Sequence, residues 1–409
     1  MTLNINRLRI AMLSAHSSPL GKLGSKDTGG MSVYVRELSR ELGRRGHRVD
    51  IYTRHNQNAH DRVVELHKDV RLIHLRLGES QYISKAEMYP HLEDFFRELE
   101  QFRSANHLEY DLIHSHYWLS GMLGIWAQET WKCPHVVMFH SLGAVKNQTG
   151  IGGPEPEIRI ATEIAVIKTC HRILAPTQRE KERLINFYGA TPDKIGVVPC
   201  GVDLELFYPM DQAAARLQLG FNPDDTLALF VGRFDSMKGL DRLIEAMRYL
   251  KHRRHLRLII VGGDGLHTPE GEKLLVLART YGVEESIAFI GRIEQKDLPP
   301  YYNVADVMVM PSHYESFGLV SLEALACGIP VVATPVGVMD TLIKEGQNGR
   351  LVANGDAKLL AKAIDKVTSL LPALSADAIR QTVQMFGWPN IASAIVKEYG
   401  ETLSLENRS

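Results

Sequence analysis

The stretch "ESFGLVSLEALACGIPVVAT", residues 315–334, joins an apolar run of helical spacing to a short β-branched run. We predict a helix that begins near Phe317 and contains Glu323. Because residues three and four apart are neighbours on a helix, Leu319 and Val320 share a face with Glu323, and that face should be buried. A lone buried carboxylate is costly unless it is paired or hydrogen-bonded. Glu323 therefore needs a partner, either elsewhere in the protein or in a ligand.

The length and composition indicate a two-domain globular protein. The chain has 409 residues, more than one hydrophobic core usually organises. Lysine and arginine total 47 against 48 aspartate and glutamate residues, a formal charge of -1, so no global field attracts nucleic acid or an anionic membrane. The cysteines lack the spacing of a zinc site, a redox pair or a disulfide scaffold. With no signal-peptide core and no apolar run long enough to span a membrane, we expect a cytoplasmic protein.

Short apolar runs alternate with longer helical patterns, which is typical of parallel sheets covered by crossover helices. The strands predicted in the first half are "LRIAMLS", "RVDIYTR", "VRLIHL", "DLIHSH", "HVVMFH", "RILAPT" and "IGVVPC". Those predicted in the second half are "LALFVGR", "LRLIIVG", "IAFIGR", "VMVMPS", "PVVAT" and "GRLVA". The expected fold class is α/β, with two doubly wound, Rossmann-like parallel sheets.

A second series of predicted strands begins in the middle of the chain, and this sets the domain boundaries. We place the domains at residues 1–204 and 205–386, with Pro199–Pro209 as the linker. A last helix, in residues 387–409, has no strand after it. Ligands of parallel sheets bind outside the carboxyl ends of the strands, so we expect ligand-binding residues there, in a cleft between the domains.

A glycine-rich loop follows the first predicted strand and leads into a helix. Gly29 and Gly30 stand at the start of that helix, where free N–H groups and the positive dipole end favour a phosphate. The alternative is a flexible loop in which Asp27 or Thr28 caps the helix. Both interpretations stay open on this loop alone.

Two cations and two carboxylates follow strands of the second half. Arg233 ends one strand and Lys238 begins the next helix, a pair suited to a diphosphate, although solvated surface charge is the commoner meaning. Glu315 is either a helix N-terminal acid or a cleft residue, and Glu323 is either half of a buried ion pair or a ligand contact. Together with the glycine-rich loop, these groups suit one ligand that carries a diphosphate and several hydroxyls.

Polar side chains also end two strands of the first half. They are His114, His116 and Tyr117 at one strand and His140 and Ser141 at the next. The spacing lacks the third ligand and the carboxylate of a catalytic zinc site, so hydrogen-bonding histidines are the simpler interpretation and no metal ligand is assigned. Lys85, and Arg159 in the first turns of a predicted helix, are surface charges when taken alone.

In this order, the residues resemble the retaining GT-B glycosyltransferases of family GT4. The resemblance covers nearly the whole chain, through "GGMSVYVRELSRELGRRGH", "HSHYWLSG", "GRFDSMKGLDRLIEA", "ESFGLVSLEALACGIPVVAT" and "FGWPNIASAIVKEY". It implies a hexosyltransferase with an acceptor-binding first domain, a nucleotide-sugar-binding second domain and a C-terminal helix that returns to the first. The implied substrates are UDP-N-acetylglucosamine or UDP-glucose and a phosphorylated polyol or sugar.

The resemblance also assigns roles by motif. The implied catalytic residues are His140, Arg233, Lys238 and Glu315. The implied donor-binding residues are Gly29, Gly30, Arg233, Lys238, Ile293, Phe317, Gly318, Leu319, Val320 and Glu323. The implied acceptor-binding residues are His16, Ser32, Lys85, Tyr117, Ser141 and Arg159. In this assignment Glu323 takes the ribose hydroxyls, Glu315 and His140 the transferred sugar, and Lys85 and Arg159 the acceptor's phosphate.

Two positions depart from family members with phosphorylated acceptors. Ser32 replaces an Asn typical of inositol phosphate users, and Met31 replaces a Gln typical of fructose 6-phosphate users. Each departure weighs against one acceptor. Inositol phosphate, fructose 6-phosphate and an unphosphorylated or lipid-linked acceptor therefore stay open.

The implied reaction retains the configuration at the anomeric carbon. Retaining hydrolases use a nucleophilic carboxylate, whereas the family implies attack from the leaving group's own face, with Arg233 and Lys238 stabilising the charge on UDP. That role replaces a metal, so no obligatory cofactor is expected, although magnesium is compatible. The expected partners are the two small substrates, without nucleic acid or stable membrane insertion, and a homodimer stays open.

Three other classes use similar folds. A dinucleotide-dependent oxidoreductase needs a GxGxxG turn, and "VGGDGLHTPEG" lacks that spacing. A two-domain sugar-binding protein would normally carry a signal peptide. A sugar-nucleotide epimerase shares the fold, and only its products would distinguish it.

Overall fold

A computed structural model describes residues 7–21, 28–55, 61–76, 84–369 and 375–406. The chain forms two compact units. Of the described residues, the first comprises 7–21, 28–55, 61–76, 84–199 and 388–406, and the second comprises 200–369 and 375–387. Within the described ranges, every helix is too short or too polar to cross a lipid bilayer.

The first unit is built on one large sheet. Its strands are β1 (Arg9–Leu13), β2 (Arg48–Arg54), β3 (Val63–His67), β4 (Val70–Leu75), β5 (Leu112–His116), β6 (His135–Met138), β7 (Arg172–Ala175) and β8 (Ile195–Val197). Its helices before the domain boundary are α1 (Gly30–Arg44), α2 (Lys85–Met88), α3 (Leu92–Ala105), α4 (Tyr117–Trp131), α5 (Gly143–Gln148), α6 (Glu157–Thr169) and α7 (Gln178–Tyr188). The strand order is β3-β4-β2-β1-β5-β6-β7-β8.

The predicted strands of the first half are confirmed, but β3 was not predicted. It pairs antiparallel with β4 at the edge of an otherwise parallel sheet. Its residues alternate between exposed and half-buried, because only one face of an edge strand packs against the protein. A search for buried apolar runs therefore passes over it.

The second unit is built on a fully parallel sheet. Its strands are β9 (Thr226–Val231), β10 (Leu256–Val261), β11 (Ile287–Gly291), β12 (Val307–Met310), β13 (Val331–Ala333) and β14 (Gly349–Leu351), in the order β11-β10-β9-β12-β13-β14. Its helices are α8 (Gln212–Leu219), α9 (Leu240–Arg248), α10 (Pro269–Tyr281), α11 (Pro299–Val304), α12 (Leu319–Ala326), α13 (Met339–Leu342), α14 (Ala357–Ser369) and α15 (Ala376–Gln381). The predicted strands of this half are confirmed.

The core of the second unit lies between the sheet and the helices that cover it. Leu258 of β10, Leu243 of α9 and Leu360 of α14 are all fully buried in one cluster. Burial of a side chain of this size contributes about 1.5 to 3 kcal/mol. The hydrophobic faces of these helices therefore hold the sheet and fix the directions in which its strands end.

The C-terminal helix α16 (Trp388–Glu406) belongs to the first unit, as the resemblance implied. Arg172 of β7 forms an ion pair with Glu398 at 2.6 Å. The guanidinium of Arg45 donates to Ser393 Oγ at 2.8 Å. These contacts attach the second turn and the middle of the helix to the end of α1 and to the first sheet.

Each sheet has one place where the strand order reverses. In the first sheet β1 lies between β2 and β5, and in the second β9 lies between β10 and β12. A crevice opens outside the carboxyl ends of the strands at such a reversal, because the neighbouring connections leave in opposite directions. The segments that follow β1, β5, β9 and β12 are therefore placed for ligand binding.

Candidate active site

In the second unit, the segments after β9 and β12 meet. Lys238 Nζ lies 2.6 Å from Glu315 Oε1, and Ser312 Oγ donates to the same oxygen at 2.9 Å. The backbone N–H of His313 donates to the carbonyl oxygen of Met237 at 2.8 Å. Side-chain and backbone bonds thus join the two segments at the strand reversal.

Gly239 permits this close approach. Its φ is +65°, and a Cβ atom there would lie 2.2 Å from the carbonyl oxygen of Pro311. Only glycine adopts this conformation at so short a distance without displacing the backbone. The glycine therefore sets the position of Lys238 beside Glu315.

The second cation at this edge is also compensated by a carboxylate. Arg233 Nη2 lies 3.2 Å from Asp235 Oδ2, and Asp235 Oδ1 accepts the N–H of Met237 at 2.9 Å. The side chains of Arg233 and Asp235 are 38% and 36% exposed, against 26% and 13% for Lys238 and Glu315. Both cations are thus reachable from solvent, and an anion at this edge competes with carboxylates for them.

Glu323 has the partners that its burial demands. Its Oε1 accepts from Gln295 Nε2 at 3.0 Å, and its Oε2 accepts from the Tyr302 hydroxyl at 2.6 Å. Burial and the neighbouring Glu323 carboxylate raise the pKa of Tyr302 well above its usual value, so its hydroxyl remains a donor. These two donors of Glu323 are uncharged side chains of the same unit.

The helix that carries Glu323 begins at Leu319, two residues after the predicted start near Phe317. Gly318 has a φ of +108°, which is outside the helical range, so the backbone turns there before the helix starts. Glu323 is buried as predicted, but Leu319 and Val320 are only half-buried because they form the open end of the helix.

The open end of α12 offers backbone N–H groups. Among the described residues, no side chain caps this end. Unsatisfied amides and the positive dipole end of a helix favour anions. Phe317 just before it packs edge to face on Phe386, with ring centroids 6.2 Å apart. Ile293 lies in the segment after β11, two residues before Gln295, which holds Glu323.

In the first unit, Tyr117 lies at the centre of the predicted acceptor-binding residues. The His16 ring centroid is 4.5 Å from the Tyr117 ring centroid. Arg159 Cζ lies 4.8 Å, and Lys85 Nζ 5.7 Å, from the centroid of the same ring. Cations at these distances are attracted by the face of an aromatic ring. The structure thus brings together side chains from four separate segments.

Arg159 is buried, so its interpretation as a surface charge was wrong. Its side chain is 1% exposed, and it pairs with Glu163 at 2.8 Å and Glu155 at 2.7 Å. Its Nη2 donates to the carbonyl oxygen of Ser141 at 2.9 Å and to the Ser141 hydroxyl at 3.0 Å. Burial alone would lower the pKa of Arg159, but Tyr117, Glu163 and Glu155 outweigh it and raise that pKa.

Two residues at this edge adopt unusual backbone conformations. Tyr117, after β5, has a φ of +75°, and His140, after β6, has a φ of +59°. Positive φ is uncommon for residues other than glycine and costs free energy, and such residues cluster at functional sites. Both were singled out from the sequence for their chemistry, and their conformations support that choice.

The histidines of this edge are neutral. Burial lowers the pKa of His140 to about 3, and its Nε2 lies 2.9 Å from His116 Nδ1. Burial, followed by the neighbouring Lys85, His140 and Arg159, lowers the pKa of His16 well below its usual value. These imidazoles therefore act through hydrogen bonds, not through charge.

The glycine-rich loop leads into α1 as predicted. Gly29 is the N-cap residue and Gly30 is the first helical residue, and no side chain caps this end within the described residues. Asp27, one of the two candidate caps, lies outside the described residues. Ser32, in the first turn, is fully buried, and its hydroxyl lies 2.5 Å from that of Ser17.

The sequence interpretation missed Arg54, the last residue of β2. Its backbone N–H donates to the carbonyl oxygen of Ala15 at 3.0 Å, which places it beside His16. It was passed over because it closes an ordinary strand pattern. Five further residues were not singled out from the sequence, namely Glu155, Glu163, Asp235, Gln295 and Tyr302. Of these, Glu163 had a usable signal, because it stands four residues after Arg159 on one helix.

No group of side chains suited to a metal ion occurs in the described part of the chain.

Two Rossmann-like units, each with candidate ligand-binding residues at its strand reversal, are the architecture of the GT-B glycosyltransferases. Residues 28–206 match the family model described as Glycosyltransferase Family 4, and residues 211–381 match that of Glycosyl transferases group 1. The chain is 38% identical to D-inositol 3-phosphate glycosyltransferase of Xylanimonas cellulosilytica, covering 96% of both chains. It is 40% identical to the enzyme of that name from Geodermatophilus obscurus, over 96% of this chain and 89% of the relative. The chain belongs to glycosyltransferase family 4.

Solved structures agree with this assignment. Sucrose-phosphate synthase from Thermosynechococcus elongatus superposes with a TM-score of 0.89 at 32% identity, over 98% of this chain and 100% of that one. Anabaena Alr3699/HepE, solved in complex with UDP and glucose, superposes with a TM-score of 0.74 at 19% identity, over 96% and 100%. At this identity, the similarity to Anabaena Alr3699/HepE supports the fold alone.

Proposed function

We propose that this enzyme transfers a hexosyl group, with retention, from a UDP-sugar to a hydroxyl of a phosphorylated polyol or sugar, with inositol phosphate as the first candidate acceptor. UDP-N-acetylglucosamine and UDP-glucose are the candidate donors. Residues 1–204 and the helix in 387–409 bind the acceptor, and residues 205–386 bind the nucleotide sugar. The observation that carries the proposal is the cluster of Lys85, Tyr117 and Arg159 at the strand reversal of the first sheet.

The acceptor's phosphate is assigned to this cluster. Lys85 and the remaining N–H of Arg159 donate to it, together with the hydroxyls of Tyr117 and Ser141. A hydrogen bond to a charged group contributes about 1.5 to 3 kcal/mol, so two such bonds discriminate a phosphorylated acceptor from a free one. His16 and Ser32 contact the acceptor's hydroxyls. The names of the relatives that are 36–40% identical support an inositol phosphate acceptor.

The donor's diphosphate is assigned to the second unit, with Gly29 and Gly30 of the first. Arg233, Lys238 and the first amides of α12, at Gly318, Leu319 and Val320, supply its positive partners. Glu323 accepts from the ribose hydroxyls, and Ile293 and Phe317 line the nucleotide. Glu315 and His140 contact the transferred sugar, His140 near its 6-hydroxyl.

In the proposed reaction, an acceptor oxygen bonds to the anomeric carbon while the bond from that carbon to the diphosphate oxygen breaks on the same face. The hydroxyl proton passes to an oxygen of the departing diphosphate, so UDP leaves and the configuration is retained. Arg233, Lys238 and the α12 amides stabilise the charge that develops on UDP. This stabilisation requires no metal ion, although magnesium is compatible with it.

A second candidate acceptor is fructose 6-phosphate. The similarity to a sucrose-phosphate synthase at 32% identity over nearly the whole chain favours it. Both candidates carry a phosphate, so the same cationic cluster serves either one.

The test is a product assay. The purified enzyme is incubated with UDP- and ADP-sugars and with inositol phosphate, fructose 6-phosphate and their unphosphorylated forms, and products are identified by mass spectrometry. We expect a hexosyl adduct of a phosphorylated acceptor from a UDP-sugar, with the anomeric configuration of the donor by NMR. Equal turnover of phosphorylated and free acceptors would contradict the acceptor assignment, and an inverted product would contradict the reaction type.

A further inference from the structure

A row of rings runs from the C-terminal helix to the end of β6, and its members are buried except for the half-buried His140. The Tyr399 hydroxyl oxygen lies 2.7 Å from His114 Nδ1. The ring centroids of His114 and His116 are 4.2 Å apart, and His116 Nδ1 lies 2.9 Å from His140 Nε2. His116 pairs with Met138 in the β5–β6 register, so it is fixed beside the strand that leads to His140.

The two imidazoles at the end of this row are both neutral at neutral pH. Burial lowers the pKa of His140 to about 3. Burial, together with the neighbouring His114 and His140, lowers the pKa of His116 well below its usual value. When two neutral imidazoles share a hydrogen bond, one ring nitrogen carries the proton and donates, and the other accepts.

Two arrangements of the protons satisfy this bond. In the first, the Nδ1–H of His116 donates to Nε2 of His140. In the second, the Nε2–H of His140 donates to Nδ1 of His116, and the proton of His116 is then on its Nε2. That Nε2 atom is buried and has no hydrogen-bond partner in the described structure. The second arrangement therefore buries an N–H group without an acceptor, which is rare in folded proteins. The first leaves only an unused lone pair.

We propose that His116 is a positioning residue that donates from Nδ1 to His140 and holds His140 protonated on its own Nδ1. His140 then presents an N–H group on the ring edge away from His116. It acts as a hydrogen-bond donor to a hydroxyl oxygen of the transferred sugar and not as a base. This role toward the sugar rests on the proposed function, whereas the tautomer rests on the hydrogen bond and on the buried, unpartnered Nε2 of His116.

The tautomer is tested on the full chain without substrates. Nitrogen NMR of isotope-labelled histidine distinguishes a protonated from a bare ring nitrogen, and the spectrum of His140→Gln identifies the His140 signals. We expect a proton on Nδ1 of His140 in the wild type. A proton on Nε2 would overturn the proposal. If no acceptor in the product assay is glycosylated, the proposed function fails while this measurement stands.

Two substitutions of His116 test its effect on turnover. His116→Leu removes the donor at similar volume, so we expect mixed tautomers at His140 and a kcat lower by roughly 10- to 100-fold, with the acceptor KM unchanged. His116→Asn keeps an N–H donor near the Nδ1 position and should restore the tautomer and most of kcat. Tyr399→Phe, at the far end of the row, should leave the tautomer unchanged.

The proposal is overturned if His116→Leu keeps the wild-type kcat, or if His116→Asn loses as much as His116→Leu. A merely structural role would lower the melting temperature of both variants without changing the His140 tautomer. If His116→Leu does not fold, the wild-type spectrum and the His116→Asn variant decide the question.

Discussion

Both units place ionisable side chains near a strand reversal, but the burial of these side chains differs between the two units. In the first unit the buried cation is Arg159, which is 1% exposed and paired with Glu163 and Glu155. In the second unit the cations are Arg233 and Lys238, which are 38% and 26% exposed. The first arrangement is a buried network of fixed partners, and the second is a set of ion pairs in contact with solvent.

The difference corresponds to two roles. The buried ion pairs of the first unit hold its structure, and the partly exposed ion pairs of the second can exchange partners. A buried, charge-balanced guanidinium gives up its carboxylates only at high cost, because each partner would be left as an uncompensated charge. It therefore fixes Tyr117 and Ser141 in position. Partly exposed pairs are worth little on their own, so an incoming diphosphate can take the cation from its carboxylate. The first unit is thus pre-organised, and the second is adaptable.

The largest expected effect is on the stability of the first unit. Arg159→Met should lower its free energy of unfolding by about 3 to 5 kcal/mol, because Glu163 and Glu155 lose their buried partner. The matched variant Arg233→Met, in the second unit, should cost less than about 1 kcal/mol, as for exposed pairs generally. Hydrogen exchange followed by mass spectrometry measures both units in one sample. Equal losses in the two variants would contradict the comparison.

The next effect is on catalysis in the second unit. Lys238→Ala should lower kcat by about 10² to 10³, the range seen when a group that stabilises developing negative charge is removed. The unfolding free energy should change little because the pair with Glu315 is partly exposed. Lys273→Ala, an exposed lysine of the same unit, is the control. A Lys238→Ala enzyme with near-normal turnover would remove Lys238 from the catalytic residues.

Acid should destabilise the first unit more than the second. Burial lowers the pKa of His114 and of His135 to about 3. Between that value and about 6.5 the unfolded state binds more protons, so stability is complete above about pH 6.5 and is lost as the pH falls. Each histidine should cost about 1.4 kcal/mol per pH unit, or roughly 3 kcal/mol for both at about pH 5.5.

The second unit provides the control for this titration. In the second unit, burial lowers the pKa of His313, but this residue is only half-buried, so its protonation should cost less than that of the fully buried His114 and His135. Hydrogen exchange at about pH 7 and at about pH 5.5, corrected for the intrinsic exchange rate, measures both units. An equal loss of protection in the second unit would show that the buried histidines are not the cause.

Much of the fold could be predicted from the sequence, because parallel strands buried on both faces are near-continuous apolar runs. The edge strand β3 could not, since only one of its faces packs against the protein and that face is half-buried. The need of Glu323 for a partner was predictable from its place in an apolar helix. Its donors Gln295 and Tyr302 were not, because they lie 28 and 21 residues before it in the sequence. Contacts of that kind depend on tertiary packing that no local pattern encodes.

The proposed enzyme binds the acceptor chiefly with its first unit and the nucleotide sugar chiefly with its second, and one pair of variants tests this division. Steady-state KM values for the UDP-sugar and for the phosphorylated acceptor are measured in Lys85→Gln and in Glu323→Gln. We predict that Lys85→Gln raises only the acceptor KM and Glu323→Gln only the UDP-sugar KM, each by roughly 10- to 100-fold for one charged hydrogen bond. If Lys85→Gln raises the UDP-sugar KM instead, or both KM values rise together in each variant, the two units do not divide the substrates in this way.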